Sequence, residues 1–211
     1  MAGVGVVLGS GAAGLDVPGT VVIDRHGDDY ALPHLIDHEA NLRGLLDAGC
    51  DRVLGVSSVG GLHAEPRPGT YLCPDDFIAL DLPPLTTLAG PGAHRVPGFD
   101  PEWRRRVVTA FAAAVELRDG GVYWQVAGPR LETRAEVRYV AAHADVIGMT
   151  VASECIVAGE LGLAYAAICV VDNLANGVAD TKLTLEEVAE GQLEHRPVLA
   201  QVLAAALPAL D

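Results

Sequence analysis

Short apolar runs of strand length alternate along this chain with longer segments of helical period, a pattern produced by strand-helix-strand units around a largely parallel sheet. The strand-like runs are Val4–Leu8, Thr20–Asp24, Val53–Val56, Val122–Val126, Asp145–Gly148 and Ala164–Val171. Helical period marks Asp37–Ala48, Pro101–Arg118, Arg134–Ala142, Ala152–Leu161 and Leu185–Ala206. The second of these opens on Asp100-Pro101-Glu102, an N-cap acid, a proline at the first position and an early carboxylate, and is expected to run to the stop at Asp119-Gly120-Gly121. The Pro- and Gly-rich stretch from Leu82 to Gly98 reads as a loop, because composition does not change across it. The expected architecture is α/β: a single domain over residues 1–211 with a central mixed, largely parallel β-sheet flanked by helices.

Half of the 211 residues are hydrophobic and only 20% are charged, enough apolar side chain for a large core. Asp and Glu number 28 against 14 Lys and Arg, a formal net charge of −14, which opposes binding to nucleic acid or to an anionic membrane surface. An anionic substrate would therefore need a local positive pocket. Cys50, Cys73, Cys155 and Cys169 form no CxxC pair and no ligand spacing with the histidines, so neither a disulfide framework nor a zinc site is expected, and a reducing cytoplasm fits best. No apolar run reaches the roughly 18 residues of a membrane span, and the first residues lack the basic start of a signal peptide.

Glycines gather where the strands end: Leu8-Gly9-Ser10-Gly11, Val56-Ser57-Ser58-Val59-Gly60-Gly61 and Gly148-Met149-Thr150. In an α/β sheet these ends face the ligand crevice, and Gly beside Ser or Thr lets backbone N–H groups and hydroxyls approach an anion. Tight packing at strand-helix turns would use the same residues. Arg25-His26-Gly27 sets two potential cations beside such a turn, with Asp24, Asp28 and Asp29 as nearby alternative partners for the arginine.

The most informative stretch is Gly128-Pro129-Arg130-Leu131-Glu132-Thr133-Arg134-Ala135-Glu136, followed by Gly148-Met149-Thr150 and Asp172-Asn173-Leu174-Ala175. With the Gly9-Ser10-Gly11 turn, Arg25-His26-Gly27, Pro33-His34 with Ala40-Asn41, Ser57 to Leu62, Pro68-Gly69 and Asp76-Phe77, it forms an ordered set along nearly the whole chain. In this set the chain resembles the purine nucleoside phosphorylase and methylthioadenosine/methylthioinosine phosphorylase family. The resemblance implies attack of inorganic phosphate on the anomeric carbon of a purine nucleoside, releasing the free purine and a ribose 1-phosphate without a metal or organic cofactor.

Carried over by motif position, Ser10, Arg25, His26, Ser57, Ser58 and Thr150 would bind phosphate, and Met149 would lie under the ribose. Glu132 and Asn173, with Leu131 and Ala175, would form the base pocket, the pair Glu132 and Asn173 matching members that act on 6-oxopurines. Asn173, Glu132 and His26 are the expected catalytic groups. A capping role for Glu132 and a turn role for Asn173 stand beside these. Leu185 falls where 6-oxopurine enzymes that take a free 5′-hydroxyl tend to carry His, which favours 5′-methylthioinosine over inosine or guanosine, while the plain start of the C-terminal helix stands beside this as its other role. His94 and Phe99 match a segment that reaches a neighbouring subunit's sugar pocket, and the resemblance implies a homotrimer.

The departures also bear on function. The chain is shorter than its relatives between the Ser10 turn and Arg25. Asp28 and Asp29 would weaken phosphate binding if they faced inward, and Leu131 replaces a Phe that packs on the purine. Asp172, beside Asn173, could accept from a 6-amino group and restore adenine recognition. A methylthioadenosine or adenosine phosphorylase, a hydrolase on the same fold and a binding module without turnover remain the alternatives.

Overall fold

The computed structural model describes residues 3–180 and 182–210. The first apolar run is β1 (Gly3–Leu8), which lies parallel to β2 (Val21–Asp24) on one side and to β3 (Cys50–Gly61) on the other. Between β2 and β3 runs α1 (His38–Asp47), whose N-cap Asp37 accepts from the Ala40 N–H. The axis of the sheet is β3, far longer than the Val53–Val56 run suggests. From Arg52 to Gly61 it pairs in parallel with β9 (Ala164–Leu174), while its end at Gly60–Gly61 pairs antiparallel with β8 (Val146–Gly148). Beyond β8 lie β7 (Val122–Gln125) and β5 (Asp76–Ile78), and beyond β9 lie β4 (Tyr71–Cys73) and β6 (Leu117–Asp119). Among the described residues only β3 with β8 and β4 with β9 pair antiparallel, so the sheet is mixed and largely parallel, as expected.

Alternation along the central strands separates two cores. Val4, Val6 and Leu8 of β1 and Ala166, Ile168 and Val170 of β9 meet α2 (Pro101–Ala112) and α5 (Leu185–Ala206) on one face. On the other face Val7, Tyr165, Ala167 and Cys169 meet α1 and α4 (Val151–Leu161). The short α3 (Arg134–Val140) covers a third cluster around Trp124 and Ile147.

The structure corrects one helix and adds three strands. α2 ends at Ala112 rather than running to Arg118, because Leu117–Asp119 forms β6 against β4 and the ladder overrides the helix propensity of the alanines before it. β4, β5 and β6 have three residues each, too few to show a period of two. The four cysteines are buried and free. No described helix is long and apolar enough to cross a membrane.

Candidate active site

The ends of β1, β2, β3, β8 and β9 open on one cavity of about 570 Å³. Ser10, Arg25, His26, Ser57, Ser58, Thr150, Met149, Leu131, Glu132, Asn173, Ala175 and Leu185 all line it, so twelve positions drawn from seven separate sequence segments converge. A volume of this order is ordinary for a small-molecule site.

Arg25 is 3% exposed and meets none of the nearby aspartates. Its Nε and Nη2 grip Glu154 of α4 in a bidentate pair, the second contact at 3.0 Å, and Nη1 donates to the Val56 carbonyl at 3.2 Å. Gly9 is required here, because a Cβ at that position would collide with the Arg25 guanidinium and with the Val56 carbonyl. Glu154 also accepts from the Tyr165 hydroxyl at 2.6 Å and lies 4.0 Å from His38. Burial alone would lower the Arg25 pKa, but the Glu154 carboxylate outweighs it and holds the guanidinium above its ordinary value. Burial would likewise raise Glu154, and the charge and hydrogen bonds of Arg25 reverse it, leaving the carboxyl below the usual range. The arginine thus reaches the cavity as one half of a fixed ion pair.

His26 gives its Nδ1 to the Ala31 carbonyl at 2.7 Å and stacks on Tyr30, with ring centroids 4.7 Å apart. Burial and then the Arg25 charge push its pKa down, against the Ala31 hydrogen bond, and burial also lowers His38. Thr150 is the N-cap of α4, yet its side chain makes no capping bond, which leaves the hydroxyl for the cavity it lines.

These histidines set a pH dependence of stability. Both have folded-state pKa values below the ordinary 6.5, so on acidification the unfolded chain binds protons that the fold refuses. Stability should fall as pH drops below 6.5, by at most about 1.4 kcal/mol per pH unit for each group. The depressed Glu154 contributes stability that is present above 4.5 and lost below it. Melting midpoints measured from pH 7.5 to 4 should therefore decline in two stages, and a flat profile from 7 to 5.5 would rule out the part of the histidines.

At the base-recognition end, Glu132 lies 8% exposed on the cavity wall, with its carboxyl pKa raised by burial. It does not cap α3. Thr133 and Glu136 form that capping box, and Glu136 also takes both Nη atoms of Arg130. Asn176 donates to the Glu132 carbonyl at 2.8 Å and ties this loop to the segment after β9. Asn173 lines the same cavity, with Nδ2 donating to the Leu174 carbonyl at 3.0 Å.

The structure corrects the reading of Asp172. The β3–β9 register skips it, with Val59 opposite Val171 and Gly60 opposite Asn173, so Asp172 is the extra residue of a bulge. Its carboxylate is buried away from the main cavity against His195 of α5, at 2.9 Å, and does not offer itself to a base. Asp28 and Asp29 are exposed and line no part of the cavity, so they do not oppose an anion there. His94 and Phe99 do not line it either. His94 is exposed beside the 3-10 turn Gly90–Ala93, while Phe99 is buried against this chain's own core, 6.2 Å from the Tyr165 ring.

Sequence reasoning missed Glu154, Tyr30, Val188, Ala189 and Gln192. The last three follow Leu185 on α5 at helical spacing, so they share the face turned to the cavity, and that spacing was the available signal. Nothing local marks Glu154, which is 129 positions from its partner.

Residues 16–208 match the family model of the Phosphorylase superfamily. A protein of Archaeoglobus fulgidus named "Probable 6-oxopurine nucleoside phosphorylase" is 38% identical over 186 residues, covering 86% of this chain and 74% of that protein. A "Probable S-methyl-5'-thioinosine phosphorylase" of Methanothermobacter thermautotrophicus is 32% identical over 187 residues, covering 88% and 66%. Among solved structures, the methylthioadenosine phosphorylase from Schistosoma mansoni in complex with adenine aligns with a TM-score of 0.81 over 99% of this chain and 91% of that one. Its identity is 21%, a likeness of fold.

Proposed function

The chain belongs to the phosphorylase superfamily, and from that membership we propose that it is a purine nucleoside phosphorylase acting on 6-oxopurine nucleosides. The supporting observation is that one cavity holds both the anion-type donors Ser10, Arg25, His26 and Thr150 and the base-reading groups Glu132 and Asn173. Inorganic phosphate, held by the first group, attacks the anomeric carbon as the bond to N9 of the purine breaks. The sugar passes through an oxocarbenium-like state, and the electron pair of the broken bond goes to the purine. Asn173, an amide that can both donate and accept, meets N7 and O6 as charge builds there, and Glu132 accepts from N1–H. No metal or organic cofactor takes part in this scheme, and phosphate is the co-substrate.

The favoured nucleoside is 5′-methylthioinosine, then inosine or guanosine. Leu183, Leu185, Val188 and Ala189 give the cavity an apolar stretch that suits an alkylthio group and would leave a 5′-hydroxyl unpaired. We place the enzyme in the cytoplasm, in purine salvage, as a homotrimer. The test is product release from methylthioinosine, inosine, guanosine, methylthioadenosine and adenosine, each with and without phosphate. Phosphate-dependent hypoxanthine release, fastest from the methylthio nucleoside, is expected. Release without phosphate would make the chain a hydrolase, and adenine as the main product would overturn the base assignment.

A further inference from the structure

Beneath the cavity, α5 is joined to the Ser10 turn by a run of side chains that the family motifs do not contain. Gly191 allows the close approach, since a Cβ there would collide with the Asp172 carbonyl. The next residue, Gln192, donates from Nε2 to the Ser10 hydroxyl oxygen at 3.0 Å and to the Ser58 hydroxyl oxygen at 3.1 Å. One turn further on, Arg196 donates to the Gly11 carbonyl at 3.3 Å and the Ala13 carbonyl at 2.6 Å, so the whole turn is held from α5.

Both bonds run from the NH2 group of Gln192, so the Ser58 and Ser10 oxygens accept. At the far end of the run, Asp172 pairs with His195 at 2.9 Å. The proton of Ser10, which lines the cavity, is then left to point at whatever anion the cavity holds.

We propose that Gln192 is a positioning residue of the phosphate site, which turns the Ser10 hydroxyl into an oriented donor toward the anion. This rests on the phosphorolytic reading above. Gln192 shares its helix face with Leu185, Val188 and Ala189, so one element sets both the apolar wall and the anion donor.

The test compares wild type, Gln192→Met, Ser10→Ala and the double variant, by calorimetric binding of inorganic phosphate and by the KM values of phosphate and nucleoside. Met keeps the length of Gln without its donors. Gln192→Met is expected to weaken phosphate about five- to twentyfold, with nucleoside KM within about twofold, and to have no further effect once Ser10 is alanine. Gln192→Glu, which has the shape of Gln but oxygens that only accept, should lose more. Phosphate affinity within twofold of wild type in Gln192→Met, or equal losses with and without Ser10, would overturn the proposal while leaving phosphorolysis standing. Wild type that binds no phosphate would overturn both, and if Gln192→Met does not fold, Gln192→Glu with phosphate affinity equal to wild type would overturn the proposal in its place.

Discussion

Replacing Glu154 with alanine is expected to lower unfolding stability by about 3–5 kcal/mol and to remove phosphate-dependent turnover. The reason is the guanidinium left behind. Arg25 is 3% exposed, and Glu154 takes both its Nε and its Nη2, so deleting the carboxylate strands a buried charge that its remaining Val56 carbonyl partner does not neutralise. The Tyr165 hydroxyl loses its acceptor in the same step. Arg25 would then find water by moving, and the cavity would lose the donor that Gly9 makes room for. Glu154→Gln keeps the shape and one acceptor, and should be milder in stability than alanine while still weakening phosphate binding. Urea unfolding with phosphate titration on both variants checks this, and a loss below 1 kcal/mol for alanine would show that water already reaches the pair.

Changing Asn173 to Asp should move the ratio of inosine to adenosine turnover toward adenosine by about a hundredfold or more. The asparagine amide can donate to a 6-oxo group, whereas a carboxylate can only accept and so favours a 6-amino group. The neighbouring Asp172 does not already supply that acceptor, because it faces away from the cavity and pairs with His195. Parallel assays of the two nucleosides at saturating phosphate measure the shift. An unchanged ratio would remove Asn173 from base recognition and leave the choice to Glu132.

Much of the frame was legible in the sequence because local rules govern it. The span of α5 follows from its helical period, and the strand ends that carry Ser10, Arg25, Thr150 and Asn173 are marked by glycine, serine and threonine. The three-residue strands were not legible. A ladder pairing such as Tyr71 with Leu117 leaves no periodicity in either segment, and it cut short a helix that alanine propensity would have continued.

The sequence by itself thus determined the α/β frame and most of the residues that meet in the cavity, because hydrophobic period and turn chemistry act over a few residues. Only the tertiary structure decided how their charges and protons are arranged. By sequence Asp24, Asp28 and Asp29 are equally open to Arg25, yet those carboxylates keep their water, while Glu154 is buried with it and gains most from the pair. A single bulge at Asp172 separates two adjacent polar side chains, sending one to α5 and the other to the cavity. Such choices depend on which groups desolvation brings together across more than a hundred positions of chain, and no local pattern carries that information.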